Sequence, residues 1–257
     1  METKLTQFRL KNKKVVITGA AKGLGKEFAN SFAEHGSNIF LLDNDKEGIL
    51  NIANNLKKIN DEVFCDYVDV GKSKSCKNVS KNISKKFGSV DVLINNAALY
   101  GGLEKVPFED IKEEDWDKVM NVNLKGVWQM SKFISPLMVN KKGGSIINIS
   151  SATVFSGSPN WMHYVASKGA VIAMSRVMAR ELGSKKVRVN VIAPGLTLTQ
   201  SSKNLFDDAE NYGISKSSLL RNAKPKDIAG IALFLASDLS KFVTGQTIIV
   251  DGGKQFI

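Results

Sequence analysis

Tyr164 and Lys168 stand four residues apart in a stretch of helical periodicity, so both side chains fall on one helix face. A phenol with an ordinary pKa near 10 is a weak base at neutral pH. An ammonium about 5 Å away, at an effective dielectric near 20, favours the phenolate by roughly 3 kcal/mol, or about two pKa units. The pair therefore points to general acid–base chemistry, with Tyr164 exchanging the proton and Lys168 bringing it into range. Ser150 and Ser151 end the apolar run SIINIS just upstream, at a strand's carboxyl end, where open α/β sheets bind ligands.

A second chemistry lies near the N-terminus. Thr18-Gly19-Ala20-Ala21-Lys22-Gly23-Leu24-Gly25 falls between an apolar run and a helical pattern. Glycines there permit a tight turn, close backbone approach to a pyrophosphate, and close helix–strand packing. The helix N-terminus then presents free N–H groups to the phosphates. The next apolar run, NIFLL, ends in Asp43, 24 residues after Gly19. A carboxylate there accepts hydrogen bonds from both adenosine ribose hydroxyls and repels a 2′-phosphate, which favours NAD over NADP. Its competing role is a helix cap, for which Asp45 is the other candidate. Lys22 pulls toward NADP, because a base before the second glycine can pair with a 2′-phosphate. An exposed pair is worth only about 0–1 kcal/mol, so the fixed carboxylate should outweigh it.

These residues need a scaffold, and the chain supplies an alternation. Strands are expected at Lys14 to Thr18, Asn38 to Leu42, Val63 to Val68, Asp91 to Asn95, Ser145 to Ser150, Val187 to Ile192 and Thr247 to Val250. Between them run helical patterns at Gly23 to His35, Asp45 to Lys58, Ser73 to Phe87, Glu113 to Val139, Met162 to Leu182 and Lys226 to Ser237. Pro136 is expected to kink or stop the longest of these, and Pro225 to open the last. The strands read as continuous apolar runs, as strands buried on both faces do. The expectation is one α/β domain over residues 1–257, a doubly wound parallel sheet of about seven strands with helices on both faces. The polar segment Thr199 to Asn222 breaks the alternation after a strand's carboxyl end. It is expected to be a substrate lid, with helical patches such as Asn204 to Ala209.

Composition narrows the classes. The 257 residues carry a net charge of +11, with 43% hydrophobic residues, close to globular norms. No run of 18 apolar residues occurs, so no membrane span is expected. The first residues, METKLTQFRLKNKK, lack the pattern of a secretory leader. Cys65 and Cys76 form no disulfide framework and suit a reducing cytoplasm. The lysines at 74, 77, 81 and 85 share one solvated helix face over Val79, Ile83 and Phe87. They lack interleaved aromatics, so no nucleic-acid partner is expected. His163 is expected behind the site or partly exposed, and His35 at a helix C-terminus. No cluster of metal ligands is visible, so no metal is expected.

Taken together, these motifs resemble the short-chain dehydrogenase/reductases from about Leu10 to Gly253. Beyond the glycine turn and Tyr164-Val165-Ala166-Ser167-Lys168, the adenine-binding pair of that family is matched by Asp69-Val70. Its asparagine loop is matched by Asn95-Asn96-Ala97-Ala98, and its mid-helix motif by Asn121-Val122-Asn123-Leu124. Pro194-Gly195 with Thr199 resembles its nicotinamide-side loop. The resemblance implies hydride transfer between a nicotinamide and an alcohol or carbonyl carbon. It implies Tyr164 as general acid/base, Ser151 on the substrate oxygen, Lys168 on the nicotinamide ribose, and Asn123 holding a relay water. It also implies a homotetramer packed through the long helices. Ala98 replaces a glycine of the family loop, which would cost about 1 kcal/mol if φ were positive there.

The substrate wall is expected from Tyr100, Phe155, Trp161 and Leu198, together with Ser151. This apolar, aromatic set points to a small or medium hydrophobic or cyclic secondary alcohol or ketone. Residues 155–173 resemble NAD-dependent members acting on ring-bearing alcohols. Lys203 and Arg221 could meet an anion, but on a lid they are expected to be solvated. The alternative is a 3-oxoacyl-(acyl-carrier-protein) reductase using NADPH, which the basic surface suits and Asp43 opposes. A non-catalytic dinucleotide-binding regulator is a second alternative, opposed by the intact Asn123–Ser151–Tyr164–Lys168 set.

Overall fold

The computed structural model describes residues 8–140 and 143–257. The first seven residues, on which part of the leader reading rests, lie outside the described residues. Seven strands form one parallel sheet: β1 (Lys14–Thr18), β2 (Asn38–Asp43), β3 (Val63–Tyr67), β4 (Val92–Asn95), β5 (Gly144–Ile149), β6 (Val187–Pro194) and β7 (Thr247–Val250). Their order is β3-β2-β1-β4-β5-β6-β7. The chain therefore winds outward in both directions from the β1–β4 pair, where Val15 to Ile17 lie beside Val92 to Ile94.

Alternation along each strand feeds two cores. Val15 and Ile17 pack with Phe28 and Phe32 of α1 (Gly23–Glu34), α2 (Lys46–Leu56) and Ile228 and Leu233 of α9 (Pro225–Ala236). Val16 packs on the opposite face with Val79, Ile83 and Phe87 of α3 (Ser73–Phe87) and Met130 and Ile134 of α5 (Gly126–Val139). The inward face of the lysine-rich helix is thus the one its spacing predicts. His35 closes α1, its Nδ1 2.8 Å from the Ser31 carbonyl.

Three local expectations need correction. The long pattern from Glu113 is not one α-helix: α4 (Glu113–Met120) passes through a π turn at Asn121–Lys125 into α5. The extra residue re-aims Asn123 inward, where its side chain finds buried partners. Pro136 neither stops nor ends α5, which runs on to Val139. In the 199–222 segment the helix is α8 (Gln200–Leu205), earlier than expected. Thr199 and Ser202 cap it reciprocally, each side chain taking the other's N–H. The described residues also contain the short α6 (Thr153–Ser156) and α7 (Met162–Gly183), which carries Tyr164. No helix among the described residues is long and apolar enough to cross a membrane.

Candidate active site

One cleft of about 1200 Å³ runs along the carboxyl ends of the strands. At one end the glycine turn leaves β1. Gly19 has φ +66°, and a Cβ there would lie 2.8 Å from Ala97 Cα. A Cβ on Gly25 would lie 1.9 Å from the Gly19 carbonyl, so α1 can seat on the turn only without one. Gly25 is buried behind the wall that Gly19, Lys22, Gly23 and Leu24 form. The Asn96 amide donates to the Thr18 and Gly19 carbonyls, both at 3.0 Å. The Thr18 hydroxyl accepts the N–H groups of Asn96 and Ala97. Asn96 and Ala97 thereby lock the turn. Lys22, extended and exposed, begins α1 without a side-chain cap, leaving first-turn N–H groups for an anion.

Asp43 is 7% exposed, and its carboxylate accepts from Ala21 N at 2.9 Å and Asp45 N at 3.0 Å. The cap of α2 is Asp45, which accepts from Gly48 N. Asp43 is therefore a carboxylate held in place on the cleft wall. Asp69 and Val70 line the same end, with Asp69 bound to Gly71 N and paired to Lys72 at 3.1 Å. Pro194, Gly195 and Thr199 line the opposite side. Ala98 is not among the residues with positive φ, so its methyl group is accommodated. A glycine cradle, unused N–H groups and a fixed carboxylate fit a dinucleotide.

At the centre the two serines separate. The Ser150 hydroxyl donates to the Lys168 carbonyl at 2.8 Å. The Ser151 hydroxyl accepts from Thr153 N and Oγ1, at 3.2 and 2.9 Å, and meets the Tyr164 phenol. Lys168 Nζ lies 5.8 Å from the centre of the Tyr164 ring and donates to the Ile149 carbonyl at 2.9 Å. Burial raises the Tyr164 phenol above its ordinary range, Tyr100 adds to this, and only Ser151 opposes it. Burial also pushes Lys168 down to about 8. The lowering of Tyr164 by Lys168 expected from their spacing is thus not found, and desolvation sets the direction.

Asn123 is fully buried behind the cleft rather than on its wall. Its Oδ1 accepts Leu99 N at 2.7 Å, while its amide donates to the Leu99 carbonyl at 3.1 Å and to Ser167 Oγ at 3.2 Å. It positions the loop that follows Ala98. His163 is buried, not partly exposed, with its Nδ1 unpartnered and its pKa lowered by burial; it does not reach the wall.

Beyond Tyr164 the wall is aromatic. Trp161 and Tyr100 lie 5.1 and 5.7 Å from its ring centre, and 5.5 Å from each other. Phe155 joins them on the wall. Leu198 does not: its N–H is tied to the Ala223 carbonyl, and Leu196 lines the cleft instead. Sequence reasoning missed Lys105, Lys254 and Gln255 on this half, and expected Phe206, Tyr212 and Lys216 only as part of the lid segment without singling them out. The two aromatics, set in an otherwise polar segment, were the available signal. Lys105 sits 3.7 Å from the Phe206 ring centre and 5.0 Å from that of Trp161. Lys203 and Arg221 pair instead with Glu210 and Asp227, at 2.8 and 2.6 Å.

Residues 19–255 match the family model described as enoyl-(acyl carrier protein) reductase. The chain is 38% identical to the 3-oxoacyl-(acyl-carrier-protein) reductase FabG of Thermotoga maritima, over 95% of this chain and 98% of that one. It is 36% identical to the enzyme of that name from Staphylococcus epidermidis, over 94% and 98%. A solved structure from Brucella melitensis, described as a short-chain dehydrogenase/reductase of glucose/ribitol dehydrogenase type, superposes with a TM-score of 0.91. It is 31% identical and covers 98% of this chain and all of its own.

Proposed function

The chain belongs to the short-chain dehydrogenase/reductase family of oxidoreductases, and from that premise we propose that it interconverts a carbonyl and a secondary alcohol at Tyr164, with NAD(H) as the preferred cofactor. The observation that carries the reaction is the Ser151–Tyr164 hydroxyl pair, backed by buried Lys168 in the middle of the cleft. The glycine turn, Asp43, Asp69-Val70 and Thr199 would hold the dinucleotide. When bound, its nicotinamide ring supplies or accepts the hydride. In reduction Tyr164 gives its phenolic proton to the substrate oxygen, and in oxidation it takes that proton back. Ser151 donates to the same oxygen as charge develops, its own acceptor side being filled by Thr153. Lys168 lies close enough to hold the ribose next to the ring and to lower the phenol once a ligand orders its ammonium.

For the substrate two readings stand, favoured by different observations. The names of the relatives support a 3-oxoacyl thioester carried on an acyl carrier protein, and they support it more strongly than a small hydrophobic alcohol. That activity commonly uses NADPH, which Asp43 opposes. The aromatic wall of Tyr100, Phe155 and Trp161 supports a compact ring-bearing ketone or alcohol. The residues at 199–222 would act as the lid over either.

Fluorescence titration with NADH and NADPH, followed by turnover of acetoacetyl thioesters and of cyclic ketones, separates them. Tighter NADH binding with ketone turnover supports the second reading, and NADPH-dependent thioester reduction the first. Tyr164→Phe should lower kcat at least about a thousandfold with NADH affinity within a factor of about three. Retained activity would remove Tyr164 as the acid/base, and no turnover by the wild-type chain would favour a regulator.

A further inference from the structure

The far half of the cleft, past Tyr100 toward Tyr212, collects positive charge that the hydride chemistry does not use. Lys105, Lys216 and Lys254 line it, against one carboxylate, Asp251. Lys105 is already placed over the rings of Phe206 and Trp161. Lys216 and Lys254 have no carboxylate within ion-pair distance among the described residues, unlike Lys203 and Arg221 nearby. Asp251 folds its own turn through one oxygen, Oδ1 accepting Gly253 N at 3.0 Å and Lys254 N at 3.1 Å, while its buried Oδ2 has no partner among the described residues and leaves one negative charge for the lysines to offset.

Lys254 is held rather than merely solvated. Its Nζ donates to Asn222 Oδ1 at 3.0 Å. Buried Asn222 cannot turn that oxygen away, because its amide donates to the carbonyls of Ala209, Glu210 and Tyr212 at 2.9–3.2 Å. A Cβ on Gly213 would lie 3.6 Å from the same Nζ, which places the ammonium against the backbone beside Tyr212. Two of its three protons are left without an acceptor among the described residues. Burial and Lys216 both lower the Lys254 pKa and Asp251 raises it, so the two ammonium groups feel each other. The next side chain on this wall, Gln255, keeps a buried Oε1 with no partner among the described residues, an acceptor that would take a donor on the ligand rather than its anionic oxygens. A fixed, half-desolvated ammonium beside a second one is the arrangement that receives an anion.

We infer that Lys254 and Lys216 form an anion subsite at the far end of the cleft, and that the substrate carries a carboxylate or phosphate opposite its reacting carbon. This rests on the reading above only for which end reacts. The shared chemistry is an anionic oxygen group. Its source is either a free keto or hydroxy acid, or the phosphate of a carrier protein's pantetheine arm. Either way the substrate is longer and more polar than the aromatic wall alone suggests.

Calorimetric titration of the full chain tests this with three probes: cyclohexanecarboxylate, its methyl ester and 4′-phosphopantetheine. Lys254→Met should reduce the affinity for an anionic probe, relative to the ester, by about tenfold. Lys254→Arg should restore most of it, and Lys216→Met, on an exposed turn, should give a smaller loss in the same direction. Selective loss for the carboxylate supports a free acid, and selective loss for phosphopantetheine supports a carrier arm. Equal loss for the ester, or no loss in either Met variant, overturns the subsite. Carbonyl turnover on the same preparations keeps the two readings apart. Lys254-dependent anion binding without turnover upholds the subsite alone, and turnover without that dependence upholds the oxidoreductase reading alone.

Discussion

Lys168 carries an ammonium that burial disfavours and that the Ile149 carbonyl accepts from. Its pKa falls from 10.5 to about 8, so between those values the unfolded chain binds more protons than the folded one. Lys168 should therefore contribute stability that rises with pH from about 8, opposed above about 9 by the buried Cys76 thiol, pushed up to about 11, and above about 10 by Tyr164 and Tyr100, whose pKa values are also raised. Lys168→Met should flatten that rise in urea midpoints measured across the window; an unchanged slope would assign the titration to another group. Asp43 gives the second prediction at this scale. Asp43→Ala should cut the NADH-over-NADPH preference by about tenfold or more, because it removes both the ribose acceptor and the repulsion of a 2′-phosphate. It should also cost about 1–3 kcal/mol, as Ala21 and Asp45 lose the acceptor of their N–H groups. An unchanged ratio in paired titrations would reduce Asp43 to an anchor. The Tyr164–Lys168 pair was legible because helical spacing alone puts two side chains on one face. The balance of their pKa values was not legible, because it depends on burial by Tyr100 and Trp161, distant in sequence or across a bend.

The π turn at Asn121–Lys125 is where an element departs from its own pattern. Periodicity over Glu113 to Val139 reads as one helix because a single inserted residue shifts the register without removing an apolar position. The reason for the shift is tertiary: it turns Asn123 inward, where it binds both the N–H and the carbonyl of Leu99. Leu99 leads into Tyr100, so the helix and the aromatic wall are coupled through one amide. Asn123→Ala should leave both Leu99 groups unpaired and lower stability by about 2–4 kcal/mol, read by urea denaturation. A loss below about 1 kcal/mol would mean that the loop is held by other contacts. Leu198 shows the same limit from the other side. Its apolar character suggested a wall position, but the backbone pairing to Ala223 decided otherwise.

At the scale of the molecule, alternating runs and helices were enough to read a doubly wound parallel sheet, because crossover connections leave few other arrangements. The cleft then had to fall where the winding reverses, beside β1 and β4. The far wall was less legible, since Lys216 and Lys254 come from two segments distant in sequence, which meet through bonds of Ser217 and Ser218 to the Gly252 and Gly253 carbonyls and of Lys254 to Asn222. How copies of the chain meet is a separate question of leftover apolar surface. On α5 Trp128 is 46% exposed, and on α7 Met162 and Val177 are 46% and 56% exposed. Burying these three apolar side chains between copies would recover roughly 25 cal/mol for each Å² covered. The assembly we propose is the homotetramer that the family resemblance implies, packed through α5 and α7. Light scattering on the purified chain should give about four times the chain mass, and Trp128→Glu should shift it to dimers or monomers. A monomer in the wild type would show that these residues serve another contact.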